Sequence, residues 1–343
     1  MRLVSPFLKH ALYPALHHSG ILRRLEPPGD YTVVNYHGVL PSDHSHPDLF
    51  LDGNLVRPQA LGKQLQFLKT HYHVIHPEKF REAIERDEPI AARTVLVTCD
   101  DGLLNVLTDM LPILQSENVP CLFFVTGASC SEQPPMLFYE ELYQLMRNTP
   151  LSAELQLADQ DGTAEEQGFQ ALWWQMVRRA SRLQEAERAE WMSRVRAQCG
   201  TPARRPSEKR TRLLKKAELN RLIEAGMSVG AHTLTHPILS LCNEEQARRE
   251  IANSKLELEQ ATGQKVWAFA YPYGNSATMG EREVRMAEEA GFTCAFLNVE
   301  HWDGTGSSSF TIPRVHVGLR TTLPEFAAHL SGFHNRLQRA AGG

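Results

Sequence analysis

Three short stretches of the 343-residue chain carry side chains that could do chemistry, and each follows an apolar run of strand length. The first is TCDDG, Thr98–Gly102. Its adjacent carboxylates, Asp100 and Asp101, repel each other and lose solvation unless a positive charge lies near. A metal ion supplies that charge, and one Asp can ligate it while the other takes a proton. Asp-Gly is also a common turn dipeptide, so taken alone the stretch reads first as a turn. The second is GAHTLTHPILS, Gly230–Ser240, where His232 and His236 stand four apart. That spacing brings two imidazoles to one ion from a helical turn or a tight loop. Among 15 histidines such a pair is not rare, and His73 and His76 nearly make another. The third is AFAYPYGN, Ala268–Asn275, which by itself is a strand running into a turn.

The elements around these stretches follow a rhythm. YTVVNY, Tyr31–Tyr36, is a β-branched and aromatic strand pattern with His37 and Gly38 just past its end. TVLVT, Thr94–Thr98, is apolar throughout, as in a strand covered on both faces of a parallel sheet. Cys121–Thr126 reads the same way. Between them lie a helix over Arg57–Tyr72 with Leu61, Leu65, Leu68 and Tyr72 on one face, a short strand at Val74–His76, and a helix over Pro77–Arg86. Further on come strands at Met227–Ala231, Val266–Ala270, Thr293–Phe296 and Phe310–Val317. Helices are expected at Lys216–Ala225, Glu244–Thr262, Glu281–Ala290 and Pro324–Gly332. Strand–helix alternation means βαβ units and a parallel sheet. In a parallel barrel, side chains just past the strands converge on the C-terminal face.

Composition is ordinary for a globular chain, with 42% hydrophobic and 22% charged residues. A net charge of -4 calls for no nucleic acid. Six cysteines without a CxxC pair read as reduced thiols. No apolar run reaches the ~18 residues of a membrane span. Lys9, His10, His17 and His18 interrupt the N-terminal stretch, which therefore does not read as a signal peptide, and a cytoplasmic location is expected. Residues 1–29 form a helical extension, broken by Pro27, Pro28 and Gly29. Within it, residues 3–25 suit one amphipathic helix, for which packing on the body is preferred to contact with a membrane surface. Residues 30–343 form the main domain, with a helical insertion at about 130–216. Helical stretches are expected there at Phe138–Arg147 and Glu165–Gln198. Leu172, Trp173, Met176, Val177 and Ala180, then Leu183, Trp191 and Val195, recur at the spacing of a packed face. Arg178–Lys216 holds 13 Lys/Arg against four Glu, read as a solvated face; peripheral membrane contact and a lid over the barrel mouth are the other uses considered.

Together, in this order, the three stretches resemble the polysaccharide deacetylase family, the NodB-homology domain of carbohydrate esterase family 4. TCDDG is similar to its TFDDG motif, HTLTH to H-[ST]-x-x-H, and YPYG to R-x-P-Y-G. NYHGV and RPQALGKQLQFLKTHYHVI resemble the start of one branch of that family. The resemblance covers roughly residues 31–126 and 216–320. It implies an α/β fold, an irregular (β/α) barrel of seven to eight units with a helical insertion. It implies a metal-dependent hydrolase that removes an N-acetyl or other acyl group from a sugar, polymeric or lipid-linked. By similarity, Asp101, His232 and His236 hold one divalent ion, Zn2+ first, with Co2+, Ni2+ or Mn2+ as alternatives. Asp100 is then the base toward metal-bound water, and the Tyr273 N–H holds the oxyanion. Tyr271, Pro272 and Gly274 would meet the substrate.

Two departures stand out. No clear copy of the family's late L-x-H motif is present, so the general acid is His37, favoured, or His316 in TIPRVHV. Ala270 stands where the family has an Arg that orients the base, and Arg314 is the candidate replacement. Without one, a catalytically impaired carbohydrate-binding protein on the same fold is the rival expectation; a hydrolase of a non-sugar C–N amide is the third.

Overall fold

Strands that are apolar without alternation need cover on both faces, and the chain provides it with a barrel interior and an outer layer of helices. In the computed structural model, residues 5–25, 27, 29–44, 47–147, 166–199, 207–300 and 309–342 are described. Eight strands are β1 Tyr31–Tyr36, β2 His73–Val74, β3 Thr94–Cys99, β4 Leu122–Val125, β5 Ser228–Ala231, β6 Ala268–Ala270, β7 Cys294–Phe296 and β8 Val315–His316. All pair in parallel, in the order β7-β6-β5-β4-β3-β1-β8, with β2 beside the start of β3. Alternate residues serve the two layers. Val33, Leu96, Leu122, Phe124, Ala268, Ala270, Phe296 and Ile312 pack together inside. Val34, Val95, Val97, Phe123, Val125 and Phe269 face the helices.

The expected last strand, Phe310–Val317, is regular only at β8, yet its backbone is tied on both sides. Ile312 donates to Ala295 and Leu297 donates to Ile312 on the β7 side, while Val317 donates to Asn35 in β1. This segment links the two edges of the sheet. Pro313 cannot donate, which keeps the strand short.

Fourteen helices are described: α1 Tyr13–His18, α2 Ile21–Arg24, α3 Pro58–His71, α4 Pro77–Glu85, α5 Leu111–Glu117, α6 Phe138–Arg147, α7 Glu166–Arg182, α8 Glu185–Cys199, α9 Glu208–Thr211, α10 Lys216–Glu224, α11 Glu244–Thr262, α12 Glu281–Glu289, α13 Leu323–Leu330 and α14 Phe333–Gly342. The helix expected over 3–25 is broken where described: a π-helical turn at Leu8–Leu12 leads into α1, and Gly20 at φ 75° separates α2. Residues 3 and 4, like Pro28, lie outside the described residues. The pieces dock on the body. The Tyr13 hydroxyl shares a hydrogen bond with His334 Nδ1 at 2.5 Å, and Lys9 meets Glu325 at 2.9 Å. Gly332, at φ 67°, ends α13 as expected, but a further helix, α14, follows it.

The insertion's second helical stretch is two helices, α7 and α8, parted at Leu183–Gln184; Glu165 and residues 148–164 and 200–206 lie outside the described residues. Trp173, Met176, Val177, Ala180, Trp191 and Val195 are buried together, as their spacing implies. The basic excess is not simply a solvated face. Arg188 and Arg210 are buried and paired with Glu250 and with Asp52 and Glu140, and Arg196 and Arg212 pair with Glu141 and Glu218. Among the described residues no helix is long and apolar enough to cross a membrane.

Candidate active site

The chain leaves β3 through Asp100 and turns sharply at Asp101, φ 75°, and Gly102, φ 73°. It leaves β5 through His232 and turns again with Thr233 at φ 62° and His236 at φ 63°. Left-handed backbone at residues other than glycine costs about 1–3 kcal/mol each and survives only where the surroundings enforce it. Here they do. Thr233 Oγ1 accepts from the His236 N–H at 3.0 Å, and buried Glu250 of α11 accepts from the N–H groups of Leu234 and Thr235, both at 2.9 Å. The two histidines therefore converge from a tight loop, not from a helix.

His232 donates Nδ1–H to the Ala270 carbonyl at 2.7 Å, which leaves Nε2 as a bare nitrogen facing inward. Burial, against the pull of Asp100, pushes the pKa of His232 down to about 4. His236 Nε2 and His232 Nε2 lie 3.3 Å and 3.7 Å from Asp101 Oδ1. Burial alone would raise the Asp101 carboxyl, but His236, His37 and His232 hold it well below the usual carboxylate range. Asp101 Oδ1 is nonetheless a buried oxygen without a hydrogen-bond partner. One ligand atom from each of the three residues falls within 4.8 Å of the others. A buried carboxylate oxygen aimed, with two imidazoles, at one point fits a divalent cation and leaves coordination positions open.

Asp100 faces a different environment. Arg314 grips it with both amino groups, at 2.7 Å to Oδ1 and 2.6 Å to Oδ2, and also donates to Thr98 Oγ1 and the Leu297 carbonyl. Asn35 of β1 donates to Oδ2 at 2.8 Å. Burial opposes ionisation, yet the Arg314 guanidinium keeps the Asp100 pKa below its ordinary value. Arg314 thus reaches Asp100 from the segment between β7 and β8. His37 Nε2 is 3.9 Å from Asp100 Oδ2, and its ring lies 5.0 Å from that of His316. Burial, with His37 beside it, pushes His316 down to about 3.

The YPYG turn divides its residues. Tyr271 sends its ring into the sheet–helix layer beside Phe269, and its hydroxyl donates to the Phe310 carbonyl at 3.1 Å, so this side chain is not brought to the site. Pro272 is buried and accepts from the Gly274 N–H. Tyr273, at φ 60°, sets its ring 5.0 Å from that of His236. Gly274 is required by space: a Cβ there would stand 2.4 Å from the Asn298 nitrogen.

Three contributors were not foreseen. Asn35 had one signal, a carboxamide inside an apolar strand pattern. Glu250 had none, sitting in a charged helix. Tyr139 enters from α6 of the insertion, its hydroxyl 3.4 Å from Asp101 Oδ2.

A model of the polysaccharide deacetylase family matches residues 87–295. The chain belongs to this family. Poly-beta-1,6-N-acetyl-D-glucosamine N-deacetylase of Escherichia coli (strain K12) is 23% identical over 309 residues, 89% of this chain and 39% of the relative. The chain therefore spans well under half of that relative's length. In fold it is similar to IcaB from Ammonifex degensii, with TM-score 0.55 and 18% identity over 88% of this chain and 98% of that one. The Streptococcus pyogenes deacetylase PplD, solved in complex with acetate, gives TM-score 0.54 and 16% identity over 89% of this chain and 99% of that one. Both support the expected deacetylase-type barrel.

Two predictions arise from these buried groups. Arg314→Met leaves Asp100 buried without its partner and should destabilise the fold by about 3–5 kcal/mol, read from the urea midpoint. The second concerns pH. His232 and His316 bind protons in the unfolded chain below about pH 6.5 but in the folded chain only near 4 and 3. The unfolded state thus holds more protons in this window, and metal-free protein should lose stability as pH falls from 6.5 toward 4. The thermal midpoint against pH checks this, and His316→Phe should flatten the slope.

Proposed function

We propose that this chain is a metal-dependent N-deacetylase of an N-acetylated sugar, with Zn2+ as the ion. The observation that carries the reading is the pairing of two unlike carboxylates: Asp101 facing two imidazoles, and Asp100 clamped by Arg314. Asp101, His232 and His236 hold the ion, whose chemistry when bound is to polarise the acyl carbonyl and acidify water. Asp100 is ionised and fixed by Arg314 and Asn35, ready to take the proton of water as its oxygen adds to the acyl carbon. The Tyr273 N–H, turned by its left-handed backbone, is the donor assigned to the developing oxyanion. The C–N bond then breaks. The leaving nitrogen takes a proton from His37, and the products are acetate and an amino sugar. His37 Nε2 lies 3.9 Å from Asp100 Oδ2, which favours His37 over His316 as the acid. The activity in the E. coli relative's name supports a glucosamine-based substrate.

The test is acetate release from N-acetylated oligosaccharides. Chelator should abolish it and Zn2+ restore it. Asp100→Asn should cut kcat by about 10²–10⁴-fold with zinc content unchanged. Full activity in that variant would remove Asp100 from the mechanism.

A further inference from the structure

The insertion reaches the candidate metal centre through Tyr139. Tyr139, the second residue of α6, places its hydroxyl 3.4 Å from Asp101 Oδ2. Its ring packs 5.0 Å from that of His236 and 6.3 Å from that of Tyr273. The other Asp101 oxygen, Oδ1, is the one that faces His236 and His232 at 3.3 Å and 3.7 Å. The carboxylate is therefore divided, one oxygen toward a phenol and one toward the imidazoles.

Tyr139 is itself held from two sides. Trp173 of α7 donates Nε1–H to the Tyr139 carbonyl at 2.9 Å. The next residue, Glu140, is buried and accepts from Arg210 at 2.7 Å. Arg210 also bonds Asp52 and the Leu51 carbonyl, in the loop that follows β1. A fully buried ion cluster of this kind is a poor source of stability, because desolvation offsets most of the attraction. What it does secure is position: it pins the first turn of α6 against the barrel mouth.

We infer that Tyr139 is a positioning residue of the metal centre, its hydroxyl holding Asp101 Oδ2 so that Oδ1 is presented to the cation beside His232 and His236. The insertion is then part of the metal site and not only a cover over it. This rests on Asp101, His232 and His236 being the ligands. Groups that orient a metal's ligands typically cost about 10–100-fold in affinity when removed.

The experiment is Zn2+ binding to the full chain in competition with a chromophoric chelator. Tyr139→Phe should bind about 10–100-fold more weakly, while its metal-free unfolding midpoint matches the unaltered protein. Tyr143→Phe, on the same helix, removes a hydroxyl that donates to Asp48 at 2.6 Å and should bind Zn2+ normally. Unchanged affinity in Tyr139→Phe overturns the inference and leaves the ligand assignment standing. An equal loss in both variants also overturns it, since the effect would then belong to the insertion's packing. Failure of the unaltered protein to bind Zn2+ would reject the ligands themselves, and the inference with them.

Discussion

Two carboxylates on adjacent residues are buried together at the end of β3, and the rest of the site is the means by which this is tolerated. Asp100 and Asp101 are 1% and 5% exposed. Two like charges about 4 Å apart repel by roughly 4 kcal/mol at an effective dielectric of 20, before either has been taken out of water. Arg314 answers one of them with a bidentate pair, and Asn35 adds a third hydrogen bond. Among the described residues, Asp101 receives no such cation. Its surroundings offer two imidazoles, and the one whose hydrogen bond is fixed, His232, is held neutral by burial. One carboxylate is satisfied by protein, and the other faces two imidazoles in an arrangement that fits a divalent ion. That asymmetry gives two identical side chains different surroundings.

Backbone geometry supplies the rest of the constraint. Asp101, Thr233, His236 and Tyr273 all have positive φ, and all lie in the three loops that meet at the site. None of these residue types favours that conformation, so the cost is borne by the bonds around them. Glu250 is the clearest case. It is 1% exposed and gathers the peptide groups of Leu234 and Thr235, which forces the chain back so that His236 faces His232. A helix would have placed the pair on one face. The loop instead lets their rings meet edge to face, with centroids 4.8 Å apart.

What could be read from residues alone follows from range. β3 and β5 announce themselves through runs of apolar residues, and the groups just past them converge because parallel strands end on one face. Arg314 was legible only as a replacement for a missing group. Its partner lies 214 positions away, and no local pattern records that contact. Asn35 left a trace, since a carboxamide among Val33, Val34 and Tyr36 needs a partner once buried. Tyr139 left none. A tyrosine near the start of an amphipathic helix reads as packing, and only the docking of α6 turns its hydroxyl toward Asp101. The helix boundaries misjudged in the extension and in α7–α8 are local matters, decided by Gly20 and by the break at Leu183–Gln184.

The insertion shows how far composition can mislead about charge. Thirteen basic residues against four Glu over Arg178–Lys216 suggest a face for solvent or for an anionic surface. The two most deeply buried of them point inward and do separate tasks. Arg188 reaches Glu250 and Thr235, the brace of the His236 loop. Arg210 reaches Asp52 and Glu140, the brace of Tyr139. Arg188 thus ties the insertion to the loop that carries His236, and Arg210 ties the first turn of α6, which carries Tyr139, to the loop after β1. Buried ion pairs gain little net stability, so their distribution says more about geometry than about folding energy. An insertion that only shielded the barrel mouth would need an apolar underside. This one has that underside in Trp173 and its neighbours, and in addition two charged anchors, one at the His236 loop and one at the first turn of α6.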